Sequence, residues 1–198
     1  SFFVTYANLE ERDVADMVRA EPPVGPLDRW ILSRLHATVA TMRRRLEDFD
    51  PAGAARPVEQ FVDDLSNWYV RRSRRRFWKA EDDTDKRAAY FTLYQVLVTL
   101  TRALAPFLPF VTEQMYQNLA RPLDPAAAES VHLTDFPVPD ERRINAHLEV
   151  QMAAVRNLVS LGRAARNKVK IRTRQPLPAV LLVTALPDVR QQPELLEH

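Results

Sequence analysis

Only three glycines occur in the 198 residues, while fifteen prolines gather between long stretches whose apolar residues recur every three or four positions. Scarce glycine removes the tight turns that hairpins and barrels need. Proline starts or stops a helix but is costly inside one, and a period near 3.6 marks an amphipathic helix. The fold class that follows is all-α, an antiparallel helical bundle. Asp28 reads as the cap of a first long helix with a stripe of Ile31, Leu35, Val39, Met42, Leu46 and Phe49. Asp50-Pro51 reads as an N-cap followed by an N1 proline, opening a second helix through Val58, Phe61, Val62, Leu65 and Tyr69. Pro57 either kinks this helix in an early turn or marks its true start.

The acidic run Glu81-Asp82-Asp83-Thr84-Asp85 leads into a third helix, with Ala89, Leu93, Val96, Leu97, Leu100 and Leu104 inward, ending at Pro106. A short fourth helix enters through Pro109 with a stripe of Val111, Met115 and Leu119. A fifth is expected from roughly Glu141 to Lys168, burying Ile144, Leu148, Met152, Val155, Leu158 and Val159. After Gln175-Pro176-Leu177-Pro178 the run Ala179-Val180-Leu181-Leu182-Val183 reads as a buried strand. One strand cannot satisfy its own edges, so it is expected to begin a small, truncated α/β subdomain. The expected organisation is a lead-in over 1–26, the bundle over 27–174 and this subdomain over 175–195. Residues 196–198, Leu-Glu-His, read as a tag remnant.

Net charge is only +2, but its placement is uneven: +5 over residues 28–79, −5 over 80–140 and +7 over 141–174. The stretch from Asn67 to Lys79 holds six cations and four aromatic rings without a proline or glycine. A guanidinium pairs bidentately with phosphate and also lies flat on a base, and an aromatic ring offers the same face to a splayed nucleotide, so this combination points to RNA. Arg72 and Arg76 continue the line of Leu65 and Tyr69 and are expected to pack their stems inward. Trp68 and Tyr69 extend the apolar stripe and read as core. Arg71, Arg74, Arg75, Trp78 and Lys79 are then the exposed candidates for RNA contact. A second block, Arg163, Arg166, Lys168 and Lys170 followed by Arg172 and Arg174, starts on a helix and runs into a linker.

Little here suggests catalysis. The three histidines outside the tail, His36, His132 and His147, lie in different expected elements without metal-ligand spacing and read as structural. The acidic run lacks the glycine and spacing of a calcium loop and reads as a helix start. There is neither a phosphate-binding glycine loop nor a nucleophile elbow, so neither catalytic nor metal residues are assigned. Without cysteine, disulfides and thiolate metal sites are excluded, and cytoplasm is the default compartment. No apolar run reaches membrane-spanning length, and Ser1-Phe2-Phe3-Val4 lacks the basic start of a signal peptide.

In order along the chain, several motifs closely resemble the C-terminal part of isoleucyl-tRNA synthetases, class I aminoacyl-tRNA synthetases. Leu27-Asp28-Arg29-Trp30-Ile31-Leu32-Ser33-Arg34-Leu35 is similar to the opening of the anticodon-binding bundle shared with the valine and leucine enzymes. The string from Asp63 through Asn67-Trp68-Tyr69-Val70-Arg71-Arg72 to Arg76-Phe77-Trp78 is closer to the isoleucine enzymes. Leu104-Ala105-Pro106-Phe107-Leu108-Pro109-Phe110-Val111-Thr112-Glu113 resembles the turn between the third and fourth helices across the group. Ser130-Val131-His132-Leu133, Phe136-Pro137 and Arg174-Gln175-Pro176-Leu177 again resemble the isoleucine pattern. Ser73 and Pro57 depart from it locally.

The resemblance implies a domain that recognises the anticodon stem-loop of isoleucine tRNA, monomeric and joined in cis to catalytic and editing domains. Signatures of those domains are missing from these residues, so the chain is expected to be inactive alone, without a cofactor of its own. ATP and Mg would serve the catalytic part of an ATP-dependent, AMP-forming ligase. The alternatives are the equivalent domain of a valine or leucine enzyme, a basic helical module that docks an acidic protein, and a metal-dependent nuclease using the acidic run.

Overall fold

The computed structural model describes residues 2–10, 13–78, 83–124 and 126–179. Among these there are helices and turns but no strand, in keeping with an all-α bundle. The chain divides into two compact units, residues 1–144 and 145–198.

In the first unit α1 (Phe2–Leu9) and α2 (Val14–Arg19) precede the long α3 (Pro26–Glu47). A rod follows without interruption: α4 (Pro51–Asp63), a π-helical segment (Asp64–Val70) and α5 (Arg71–Trp78). Next come α6 (Asp83–Leu104) and α7 (Pro109–Leu119). α3 packs against α4 and α6, and α6 carries α2, α5 and α7. The core lies between them, filled by Trp30, Ile31, Leu35, Val39 and Met42 of α3, Phe61, Tyr69 and Phe77 of the rod, and Tyr90, Leu93 and Val96 of α6. The Phe77 ring meets Tyr90 at 4.9 Å and Phe2 at 5.1 Å, so the apolar start of the chain closes over α5 and α6.

Several expectations shift in phase. The cap of α3 is Gly25, not Asp28, which is 1% exposed and accepts the Gly25 N–H at 3.2 Å. Phe49 is not the end of the α3 stripe: it lies beyond the helix at φ 56 and is 93% exposed. Asp50 does cap α4, accepting the Gly53 N–H at 2.8 Å, and Pro57 sits inside that helix, whose start is Pro51. Val62 faces outward on α4. On α7 the inward residues are Thr112, Tyr116 and Leu119, whereas Val111 is 57% exposed, because Tyr116 packs with Ala105, Ala120 and Val131. Glu113 fixes that side by accepting the Val131 N–H at 2.9 Å and the Ser130 hydroxyl at 2.8 Å.

The expected fifth helix does not begin at Glu141. Residues Glu141–Arg143 form one 3-10 turn, started by the Asp140 carboxylate, and Ile144 is extended. In the second unit α8 (Ala146–Lys168) opens where the Asn145 side chain accepts the Leu148 N–H, and its buried positions are Leu148, Gln151, Met152 and Val155. Leu158 and Val159 are only half-buried. The strand read at 179–183 lies, apart from Ala179, outside the described residues.

Candidate nucleic-acid interface

From Phe61 to Phe77 the buried line along the rod steps by four: Phe61, Leu65, Tyr69, Ser73, Phe77. In an α-helix four residues overshoot one turn by about 40°, so four such steps would carry the line roughly 160° around the axis. The π-helical segment at Asp64–Val70 absorbs this drift, because its wider i→i+5 turn accommodates an extra residue. As a result Ser73 and Phe77, not Arg72 and Arg76, continue the line of Leu65 and Tyr69. The two arginines flank it half-buried, with Arg72 lying over the Trp68 ring at 4.7 Å.

Arg76 is the structural member of the cluster. Its Nη1 and Nη2 donate to Asp28 Oδ1 and Oδ2, both at 2.8 Å, and its Nε donates to Asp85 Oδ1 at 2.9 Å. The Tyr69 hydroxyl also donates to Asp28 Oδ1, at 2.7 Å. Burial works against the Arg76 charge, but its bonds to Asp28 and that carboxylate's charge outweigh it and hold the pKa above the ordinary arginine value. For Tyr69, burial and then the neighbouring Asp28 charge push the phenol well up. This knot ties the C-terminal end of α5 to the first turns of α3 and α6. Asp64 faces away from the cluster, pairing with Arg34 at 3.0 Å and accepting from Gln60 at 3.1 Å, while Asp63 accepts from Asn67.

Arg71, Arg74, Arg75 and Trp78 share the outer face of α5 at helical spacing, and all four are exposed, Trp78 by 63%. No hydrogen bond or ion pair joins Arg71, Arg74 or Arg75 to another described residue, so three like charges stand together facing solvent. Such an arrangement is unfavourable until an anion meets it. Lys79 lies outside the described residues.

The second block belongs to the other unit. Arg163, Lys168 and Lys170 are exposed, the last at φ 58. Arg166 is half-buried, and its Nη1 donates to the carbonyls of Arg172 at 3.1 Å and Gln175 at 2.7 Å, closing the turn after α8. Its guanidinium thus has a structural task that basic composition alone did not reveal. His36 is structural as well, its Nδ1 accepting the Asp140 N–H at 3.0 Å. Among the described residues no helix is long and apolar enough to cross a membrane.

Residues 28–181 match the family model described as the anticodon-binding domain of tRNA ligase. An isoleucine–tRNA ligase from Dehalococcoides mccartyi is 52% identical over 185 residues, 93% of this chain and 18% of that protein. The isoleucine–tRNA ligase of Thermus thermophilus is 50% identical over 188 residues, again 93% of this chain and 18% of the relative. That of Clostridium acetobutylicum is 45% identical over 192 residues, 95% and 18%. The chain therefore spans about a fifth of the length of the relatives it matches. With a helical bundle over the matched residues and the cationic face of α5 within them, the chain belongs to the anticodon-binding domain family of tRNA ligases, as an anticodon-binding region of the isoleucine type.

Proposed function

We propose that this chain grips the anticodon stem-loop of isoleucine tRNA and presents that tRNA to the catalytic part of an isoleucine–tRNA ligase, where ATP and Mg would serve an AMP-forming aminoacylation. The observation that carries the reading is the outer face of α5, where Arg71, Arg74 and Arg75 stand beside the exposed ring of Trp78 with no acidic partner among the described residues. Phosphate contacts from such a face set position, and stacking on an aromatic or guanidinium plane holds an unpaired base. Lys79 extends the cationic run in sequence, and Arg163, Lys168 and Lys170 offer further phosphate contacts from the second unit, with Arg166 contributing through the turn it closes. The chain acts in this reading as a monomer, in the cytoplasm, joined in cis to catalytic and editing domains.

The test is filter binding of isoleucine tRNA and anticodon-swapped versions at 50 and 200 mM salt. Neutralising about five phosphates with a slope near −0.7 per contact gives roughly a hundredfold loss of affinity over that range. Reversing Arg74 and Arg75 to Glu should weaken all tRNAs together. Binding that hardly changes with salt, or that is indifferent to which tRNA is offered, would remove the proposal and leave a basic protein-docking module in its place.

A further inference from the structure

The turn between α3 and α4 carries an aromatic ring that the fold does not use. Phe49 is 93% exposed and sits at φ 56, in the left-handed region where a bulky side chain is strained and where a helix end ordinarily places glycine. Both its exposure and its backbone favour glycine as far as folding is concerned. The turn is nevertheless closed by its own hydrogen bonds. The N–H groups of Asp48, Phe49 and Asp50 donate to the carbonyls of Arg44, Leu46 and Arg45 at 3.0, 3.0 and 2.8 Å. The Asp50 carboxylate accepts from Gly53 N–H and pairs with Arg45 at 3.3 Å. Gly53 makes room for that carboxylate, since a Cβ there would lie 2.0 Å from Asp50 Oδ2. The ring stands on a turn whose backbone N–H groups are all bonded.

Its position follows from the Arg76 knot. Because Arg76 binds both Asp28 and Asp85, the starts of α3 and α6 share one end of the bundle with the C-terminus of α5. The 22 residues of α3 extend about 33 Å from there, which puts Phe49 at the opposite end from Arg74 and Trp78. Local charge is balanced: Arg43 pairs with Glu47 and Arg45 with Asp50, and residues 43–50 carry three cations and three carboxylates in all. Two aspartates flank the ring, so a phosphate is disfavoured there, whereas the face of a neutral base is not. A protein partner needs a contiguous apolar patch, and neither α3 nor the turn after it presents another exposed large apolar side chain. A base needs one ring. Phe110, by contrast, is exposed beside Leu108 and Val111 and is a different kind of surface.

We infer that Phe49 is a stacking platform for one unpaired base of an RNA hairpin whose backbone is held at the other end of the bundle by the arginine face of α5. This rests on the RNA reading above, and the two are separated by what they do to salt dependence. A base stacked on a neutral site releases no counterions.

The experiment titrates the chain and its Phe49→Gly, Phe49→Ala and Phe49→Trp variants with an RNA hairpin carrying the isoleucine anticodon arm, and with the same hairpin made abasic in the loop. Phe49→Gly and Phe49→Ala are expected to weaken the intact hairpin by roughly fivefold to a hundredfold, with Phe49→Trp retaining affinity. The slope of affinity against salt should stay as in the parent chain. The loss should vanish with the abasic hairpin, and Phe49→Gly should melt no lower than the parent chain. Unchanged affinity in Phe49→Gly, while the parent chain keeps its steep salt dependence, overturns the platform and leaves the RNA reading standing. A loss accompanied by a lower melting temperature, or a loss of equal size with the abasic hairpin, also overturns it. A parent chain that binds no hairpin overturns both.

Discussion

Replacing Arg76 with Met tests the division between structural and RNA-facing arginines most directly. Arg76 and Asp28 form an ion pair with two bonds of 2.8 Å, with side chains 16% and 1% exposed. Methionine keeps the apolar stem but leaves the Asp28 carboxylate, among the described residues, with the Tyr69 hydroxyl and the Gly25 N–H as its remaining donors. Breaking a buried pair from one side costs about 3–5 kcal/mol, because the remaining charge stays buried and uncompensated. The bond to Asp85, whose side chain is half exposed, adds little. Against a total stability of about 5–15 kcal/mol, the loss should move the urea midpoint down by about 2 M for a slope near 2 kcal/mol per M. Asp28→Asn alone should also destabilise, and the double variant Asp28→Asn, Arg76→Met should cost clearly less than the two single losses added together. RNA affinity, measured where Arg76→Met remains folded, should change less than for Arg74→Glu with Arg75→Glu. A cost under about 1 kcal/mol, or a collapse of RNA binding with stability intact, would refute this assignment of Arg76.

Other consequences can be checked on the same chain. Neutralising Arg74 alone with Gln should lower the salt slope for RNA binding by about 0.7, as one phosphate contact is lost, which a two-salt titration reads directly. Gly53→Ala should fail to give the gain of about 1 kcal/mol usual for glycine in a helix, because the new Cβ displaces the Asp50 cap; urea unfolding decides this. His36 has a pKa lowered by burial and then by Arg143, so the unfolded chain takes up its proton first as pH falls. Stability is therefore full above about 6.5 and declines as pH drops through the lower folded value, and thermal melts of His36→Gln should show a flatter dependence over that window. Deleting Asn67, an exposed residue of the π-helical segment, should let the rod close into continuous α-helix with Tyr69 and Phe77 still buried, whereas adding an alanine there should rotate α5 and unfold the unit. Circular dichroism melts of the two length variants distinguish these outcomes.

Much of the bundle was legible because burial on α3 and α6 obeys the 3.6-residue period, and because Asp50-Pro51 and Pro109 mark their helix starts by a mechanism that needs no tertiary context. The misses fall where a neighbouring element decides. Phe49 continues the α3 spacing arithmetically, but the chain has already turned into a left-handed residue, bonded back to Leu46, before the ring could reach the core. Val111 has the hydrophobicity for burial, yet Glu113 and Val131 fix the rotation of α7 so that Tyr116 goes inward. Asp28 looks like a cap because aspartate commonly is one, and only the approach of Tyr69 and Arg76 from the rod turns it into a buried hub.

The arginine helix shows which part of a buried line a one-dimensional period misses. In pure α-geometry Arg72 and Arg76 replace Ser73 and Phe77 on the line from Leu65 and Tyr69, although Arg71, Arg74, Arg75 and Trp78 read as outward in either geometry and are exposed. The written spacing of four, from Phe61 through Phe77, holds the missing information, since only a locally widened helix keeps such a line on one side over four turns. The widening has a chemical result. It seats Phe77 against Tyr90, lets Arg76 reach Asp28 and leaves Arg71, Arg74, Arg75 and Trp78 on a single outward face. The same local distortion that completes the core therefore sorts the cations into those spent on folding and those left for a polyanion, which is why the cluster cannot be scored as a uniform patch of charge.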